Sequence, residues 1–233
     1  MKHPLVFANW KSHFTVNEAL EWLDAYGRLV GSKTFFQETR AAICAPFTTL
    51  YPISQRIKDR GLALVLGAQD LSATDEGAYT GEISARMLST LVDYVLVGHS
   101  ERRRLFRESG EVVEKKLEKA LKAGLTPILC VADLEEIPAG VKDDPRVLVM
   151  FEPPTAISKG GQYQAEESEE IGEIMRKWRQ EMDPGMKLFY GGSVNPENVT
   201  KIFIQGRVDG VVVGHASLDP SSFVEILVRL QKV

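Results

Sequence analysis

The sequence is poor in cysteine and has no cysteine motif. Its 233 residues include two cysteines, Cys44 and Cys130, and neither lies in a CxxC pair or beside spaced histidines. This excludes a disulfide framework and the usual zinc and redox motifs, so we expect no metal site. Each cysteine lies near the end of an apolar run, which is typical of a small buried side chain in a reducing compartment.

The chain also has no long hydrophobic run and no strong charge imbalance. No apolar run approaches the ~18 residues of a membrane span, and the first one is too short for a signal peptide. We therefore expect a cytoplasmic protein with no membrane partner. The formal net charge of −4 and the absence of a basic stripe argue against nucleic acid. Lysines and glutamates alternate at helical spacing over 111–122, which indicates a solvated, salt-bridged helix face.

Short apolar runs, in contrast, recur along the whole chain and alternate with amphipathic segments. Repeated strand–helix units predict an α/β protein with parallel strands and right-handed crossovers. Eight units in this length favour a closed (β/α)8 barrel over an open sheet, as one domain spanning 1–233. The eight predicted strands are Leu5–Ala8, Ala41–Ala45, Ala63–Leu66, Tyr94–Val97, Thr126–Val131, Val147–Phe151, Lys187–Tyr190 and Val208–Val213.

Helices are predicted between the strands, with one exception. Segment 83–91 is expected to be helical, and another helix is expected over 196–205. After the fifth strand, Pro138, Gly140 and Pro145 leave room for about one or two turns. A shortened segment is therefore expected in place of the helix that follows strand 5.

The stretch from Asp93 to Arg103 is the one around which the chain is organised. A buried strand ends at Gly98, which permits a sharp turn, and Ser100 is predicted to cap a helix that begins with Glu101. His99 then lies at the positive end of a helix dipole, which disfavours a protonated imidazole. We expect a neutral ring that donates a hydrogen bond. A loop histidine without a chemical role is the alternative that this stretch alone leaves open.

Unusual polar residues and glycine turns follow five of the predicted strands, always on the carboxyl side. Barrel enzymes build their active sites on that face. The turns after strands seven and eight also expose backbone N–H groups at helix starts, where a phosphate binds well. The residues are Asn9 and Lys11, His99 and Glu101, Glu152, Gly191-Gly192-Ser193, and Gly214-His215.

Motifs distributed along nearly the whole chain resemble those of the triosephosphate isomerase family, in the family's order. The most specific is the GHSERR sequence with an NxK motif far upstream. The motifs are Ala8-Asn9-Trp10-Lys11, Cys44-Ala45-Pro46-Phe47-Thr48, Gly67-Ala68-Gln69, Gly77-Ala78-Tyr79-Thr80-Gly81-Glu82-Ile83-Ser84, Val97-Gly98-His99-Ser100-Glu101-Arg102-Arg103, Glu152-Pro153, Tyr190-Gly191-Gly192-Ser193-Val194 and Val213-Gly214.

The resemblance implies a cofactor-free interconversion of dihydroxyacetone phosphate and glyceraldehyde 3-phosphate through an enediolate. Glu152 is then the base that takes the carbon-bound proton, and its strand-end setting favours a partly desolvated carboxylate. A neutral histidine that polarises the carbonyl is established for the family, and the resemblance carries that role to His99. Lys11 supplies positive charge, Asn9 orients Lys11 and lines the site, and Glu101 positions Lys11 by charge pairing.

The family also implies a phosphate site and a lid over it. The phosphate-binding residues are expected to be Ser158, Ser193, Gly214 and His215. Segment 153–161 is expected to close as the lid, latched by Tyr190 and Ser193. The lid departs from the family, which usually has tryptophan, glycine and threonine at the positions of Thr155, Ser158 and Lys159. His215 likewise replaces a glycine.

The loop from Gln69 to Glu82 resembles the one that reaches into the partner subunit in family dimers. Thr80 is then expected beside the partner's active site, and Glu82 is expected to pair with Arg102 across the interface of a homodimer. The altered lid leaves two alternatives open. One is a barrel that binds a phosphosugar without turning it over, and the other is an isomerase of a related aldose–ketose phosphate.

Overall fold

Eight parallel strands form a closed barrel in the computed structural model, which describes residues 4–31, 40–153 and 168–233. Each strand pairs with the next in sequence, and β1 pairs with β8 to close the ring, with Leu5 opposite Gly210. The predicted closed barrel is confirmed. The strands are β1 (Leu5–Asn9), β2 (Arg40–Ala45), β3 (Leu64–Ala68), β4 (Tyr94–Val97), β5 (Thr126–Val131), β6 (Leu148–Phe151), β7 (Lys187–Tyr190) and β8 (Gly210–Val213).

Helices connect the strands around the outside of the barrel. They are α1 (Val16–Val30), α2 (Phe47–Arg60), α3 (Ala85–Leu88), α4 (Ser100–Leu105), α5 (Gly110–Lys122), α6 (Ser168–Glu181), α7 (Val199–Gly206) and α8 (Pro220–Leu230). None of these described helices is long and apolar enough to cross a membrane.

Both faces of the strands are buried, which explains why the strands are mainly apolar between their ends. Alternate residues point to opposite faces of a strand. In β1, Phe7 points into the barrel, where its ring centroid lies 4.9 Å from that of Tyr94 and 5.7 Å from that of Phe189. Val6 and Ala8 belong instead to the larger core between strands and helices. Side chains therefore fill the barrel, and a site can form only at its ends.

The connection after β5 contains two short 3-10 helices, Leu134–Glu136 and Ala139–Val141. The predicted shortening of this segment is confirmed. Asp133 begins the first of these turns, because its carboxylate accepts a hydrogen bond of 3.1 Å from the Glu135 N–H.

Two helices are shorter than the sequence predicts. The helix expected over 83–91 is limited to Ala85–Leu88, since Ser84 caps its start. The helix expected from residue 196 begins at Val199. Residues 196–198 instead form a turn, in which the Asn195 side-chain oxygen accepts hydrogen bonds from the N–H groups of Glu197 and Asn198.

The prediction of a wholly solvated charged face on α5 is wrong for Lys116. This lysine is buried on the same face as Val113 and Leu117. Its ammonium group lies 2.5 Å from a carboxylate oxygen of Asp70 and 2.7 Å from one of Glu108. The buried carboxylate of Glu108 and the half-buried one of Asp70 make this burial tolerable, and neither is a neighbour that helical spacing reveals.

Candidate active site

The turn after β1 holds Lys11 in a backbone conformation that non-glycine residues rarely adopt. Its φ angle is 50°, in the left-handed region that costs about 1–2 kcal/mol for a residue with a side chain. Asn9 supports the turn, because its side-chain oxygen accepts a hydrogen bond of 3.1 Å from the Lys11 N–H. The contact between Asn9 and Lys11 is thus made through the lysine backbone.

Gln69, directly after β3, is a positioning residue that the sequence analysis does not single out. Its amide nitrogen donates to the carbonyl oxygens of Lys11 and Cys44, at 2.9 Å each. It therefore connects the Lys11 turn to the end of β2. Its place in the Gly67-Ala68-Gln69 motif was the one sequence feature that pointed to Gln69. The motif does not reveal the partners, because Cys44 and Lys11 lie 25 and 58 residues away in sequence.

Lys11 reaches across the rim to Glu101 at the start of α4. The ammonium nitrogen lies 2.6 Å from a carboxylate oxygen, so the predicted charge pair is present. Burial opposes the charge on Glu101, but the hydrogen bond from Lys11 and the positive groups nearby outweigh it. The pKa of Glu101 consequently lies below its usual range.

His99 itself caps α4, so the predicted cap at Ser100 is wrong. Its Nδ1 atom accepts a hydrogen bond of 3.2 Å from the Glu101 N–H. A ring nitrogen that accepts carries no proton, so this contact fits the tautomer with the proton on Nε2. Gly98, with a φ of 71°, turns the chain sharply just before His99.

Glu152, at the end of β6, meets His99 on the rim. Its side chain is 5% exposed, and one carboxylate oxygen lies 3.0 Å from His99 Nε2. The other oxygen accepts a hydrogen bond of 2.9 Å from the Ser100 N–H. A buried carboxylate at a helix N-terminus is stabilised by that N–H group and by the helix dipole. The structure therefore brings a carboxylate and an imidazole together from the ends of β4 and β6.

The turns after β7 and β8 complete the rim. A Cβ atom at Gly191 would lie 2.3 Å from the Met150 sulfur, so only glycine fits there. The Asn198 side chain fixes the carbonyl of Ser193 with a 2.7 Å hydrogen bond. A Cβ atom at Gly214 would lie 3.8 Å from Lys11 Cε, which places the turn after β8 beside the lysine.

The remaining predicted residues of this rim have varied settings. His215 is exposed at the start of a 3-10 helix, His215–Leu218. Tyr190 is fully buried, with its ring centroid 6.3 Å from that of Phe151. Thr155, Ser158, Lys159 and the rest of the predicted lid after Pro153 lie outside the described residues.

The predicted interface residues lie on the β3 and β4 side of the barrel. Thr80 and Glu82 are exposed in the loop after β3. Arg102 has partners within its own chain: its guanidinium lies 2.9 Å from Asp70 and 2.8 Å from Glu108. A Glu82 carboxylate from another subunit would have to share this guanidinium.

Fold and site together define a (β/α)8-barrel enzyme with a carboxylate–imidazole pair and a lysine on one rim. A sequence model of triosephosphate isomerase matches residues 4–230. The chain belongs to the triosephosphate isomerase family, and it is an isomerase.

Individual relatives agree with this assignment. The triosephosphate isomerase of Dictyoglomus thermophilum is 36% identical over 97% of this chain and 99% of its own length. That of Alkaliphilus metalliredigens is 37% identical over the same shares of the two chains. The crystal structure of the Bartonella henselae triosephosphate isomerase superposes with a TM-score of 0.77 at 29% identity, covering 96% of this chain and 97% of that one.

Proposed function

We propose that this chain interconverts dihydroxyacetone phosphate and glyceraldehyde 3-phosphate through an enediolate, with Glu152 as the base. The contact between Glu152 and His99 carries the proposal, because it places a carboxylate and a neutral imidazole 3.0 Å apart on the barrel rim. A substrate carbon next to a carbonyl can then lose its proton to Glu152 while the carbonyl oxygen is polarised by His99.

The reaction requires the carboxylate to exchange partners. Glu152 is held by the Ser100 N–H and by His99 Nε2. Bound substrate must therefore displace these contacts and bring its own C–H group and oxygen atoms to the two side chains. Glu152 takes a proton from one carbon and returns it to the adjacent carbon. His99 donates its Nε2 proton to a substrate oxygen and recovers a proton from the neighbouring hydroxyl, so the protein is unchanged at the end.

Lys11 supplies the positive charge for the substrate. Its ammonium group stabilises both the phosphate and the oxygen that becomes negative in the enediolate. Glu101 and Asn9 hold it in place, as their 2.6 Å and 3.1 Å contacts support. The phosphate is assigned to backbone N–H groups of the turns at Ser193, Gly214 and His215, the last of which begins a 3-10 helix.

The rest of the phosphate site rests on resemblance alone. Ser158 is proposed as a further phosphate-binding residue, within a lid at 153–161 that Tyr190 and Ser193 latch when it closes. Apart from Pro153, the lid residues are outside the part of the chain that the structure describes.

The experiment that tests this function is the isomerisation of glyceraldehyde 3-phosphate by the wild type, Glu152→Gln and Glu152→Asp. We expect kcat to fall by about 10³-fold or more in Glu152→Gln, which cannot accept a proton. Glu152→Asp keeps the base but withdraws it by about 1 Å, so it should lose about 10²-fold.

Each alternative has its own signature in the same assay. Wild-type protein that binds triose phosphate without exchanging its carbon-bound proton would favour the non-catalytic phosphosugar-binding barrel. Faster proton exchange with a longer aldose or ketose phosphate would favour the related isomerase.

We also propose that residues 1–233 form a single domain and that the chain acts as a cytoplasmic homodimer. Large exposed apolar side chains support the dimer. They come from the segments after β2, β3 and β4, which are neighbours in the barrel and therefore share one side of its rim. These side chains are Phe47, Tyr51, Tyr79, Met87, Leu105 and Phe106. Thr80 lies in the middle segment, and its exposed position fits contact with a second copy.

A further inference from the structure

Arg103 lies on α4 beneath the catalytic histidine and reaches back to two strand ends. Its Nε atom donates to the carbonyl of Gly98 at 2.8 Å, and Nη2 donates to the carbonyl of Cys130 at 3.3 Å. A Cβ atom at position 98 would lie 2.9 Å from Nη2, so the glycine also makes room for the guanidinium. Arg103 thus connects the end of β4 to the end of β5.

Each of the two strand ends leads directly to a catalytic group. Gly98 precedes His99 in the chain. Cys130 precedes Val131, whose carbonyl accepts a 2.9 Å hydrogen bond from the Glu152 N–H. The path from His99 to Glu152 through Arg103 therefore consists of short backbone steps and three hydrogen bonds. We propose that Arg103 is a positioning residue that sets the spacing of the His99 ring and the Glu152 carboxylate.

The shortened segment after β5 supplies the carboxylate that faces Arg103. Asp133 is engaged in capping the 3-10 turn that follows it. The turn brings Glu136 back over the strand end, where its carboxylate accepts from the Ala132 N–H at 3.2 Å. The same oxygen lies 3.9 Å from Arg103 Nη2. Glu136 thereby anchors the exit of β5 and holds the guanidinium over Cys130.

The proposed positioning role of Arg103 can be separated from phosphate binding, because the two involve different parts of the rim. Lys11, Ser193 and Gly214 lie on the turns after β1, β7 and β8, and Arg103 contacts only the ends of β4 and β5 among its described partners. A change at Arg103 should alter the acid/base pair and leave the phosphate site intact. The proposal rests on the assignment of Glu152 and His99 made above.

The test compares Arg103→Met, Arg103→Lys and Glu136→Gln with Arg60→Met, an exposed arginine of α2. We expect Arg103→Met to lower kcat by about 10–100-fold with KM for glyceraldehyde 3-phosphate within about threefold, because a displacement near 1 Å suffices for such a loss. Arg103→Lys retains one donor and should recover part of kcat. Glu136→Gln keeps the bond to Ala132 and should lower kcat by about threefold, while Arg60→Met stays within about twofold of the wild type.

The ¹⁵N signals of the His99 ring provide a readout that general destabilisation does not move. In the folded wild type they should report a neutral ring with its proton on Nε2, and in Arg103→Met a mixture of tautomers. Values of kcat within about twofold of the wild type for Arg103→Lys and Arg103→Met, with unchanged His99 signals, would overturn the proposal. If Arg103→Met does not fold, the kcat and ring signals of Arg103→Lys and Glu136→Gln decide.

A failure of this proposal is distinguishable from a failure of the catalytic assignment. Full activity in Glu152→Gln would remove the assigned base, whereas the ring signals of His99 report on Arg103 without any turnover.

Discussion

At the scale of single residues, His99 and Glu152, which we propose as the catalytic pair, restrain each other before substrate arrives. The Nδ1 atom of His99 is engaged by the Glu101 N–H, so only Nε2 has a proton to donate. The Nε2 atom lies 3.0 Å from one carboxylate oxygen of Glu152, whose other oxygen is held by Ser100. Glu152 is therefore held in a defined position, and a ligand must offer replacement hydrogen bonds to release it.

Lys11 is the residue whose charge is most directly testable. Replacing it in Lys11→Met removes a hydrogen bond to a charged group, worth about 1.5–3 kcal/mol, so KM for glyceraldehyde 3-phosphate should rise by about 10–100-fold. A further loss in kcat is expected, because the same ammonium group stabilises the enediolate.

Lys11→Arg is the matched control for that experiment. It keeps the charge and should recover part of the loss in KM, although a guanidinium does not reproduce the 2.6 Å contact with Glu101. Equal KM values for Lys11→Met and the wild type would contradict the assignment of Lys11 to the phosphate.

At the scale of elements, α4, α5 and the loop after β3 are joined by one partly buried charge cluster. Lys116 and Arg102 face Asp70 and Glu108, with each cation within 3 Å of both carboxylates. Burial opposes the charge on Glu108, but hydrogen bonds from Lys116 and Arg102 outweigh it, so the pKa of Glu108 is below its usual range. Burial raises the pKa of Asp70 although the same cations oppose it.

The variant Glu108→Gln should lower the free energy of unfolding by about 3 kcal/mol at pH 7, because it leaves the buried Lys116 ammonium group and the half-buried Arg102 guanidinium with one carboxylate. Chemical denaturation followed by circular dichroism measures this. Glu114→Gln, an exposed position on α5, should change stability by less than about 0.5 kcal/mol.

The acid dependence of stability follows from the depressed pKa of Glu108. A carboxyl group with a lowered pKa stabilises the folded state fully above about pH 5, and this contribution is lost as pH falls through about 4 and below. The raised pKa of Asp70 has the opposite sign and does not add to the acid loss. The difference in stability between the wild type and Glu108→Gln should therefore shrink on acidification, and a difference that grows would contradict this account.

At the scale of the whole molecule, the apolar side chains around the loop after β3 predict self-association. We expect the chain to sediment as a dimer at micromolar concentration, and Tyr79→Asp to shift it toward monomer with a loss of kcat, because Thr80 is proposed to reach the partner's site. Ile204→Asp removes an exposed apolar side chain on α7 instead, and it should remain dimeric. A wild type that sediments as a fully active monomer would exclude the dimer.

The sequence predicted the barrel because its strands are buried on both faces, so every strand stands out as an apolar run. It also placed Lys11, His99 and Glu152 on one rim, because carboxyl ends of parallel strands share a face. It did not reveal the cap by His99, the burial of Lys116 or the roles of Gln69 and Arg103. Those depend on partners brought together by the curvature of the ring, and no local pattern in the chain encodes which distant carbonyl or carboxylate a side chain will meet.

The pairing of β1 with β8 has a consequence for how activity arises in time. Residues near the two ends of the chain meet only when that seam forms: Gly214 comes to lie beside Lys11, and the Trp22 indole donates to the carbonyl of Ser217, 195 residues away. Contacts of such long range form late in folding. During refolding from denaturant, the circular dichroism signal of the helices should return first. Isomerase activity should return only with the last step, so its recovery reports when the barrel closes.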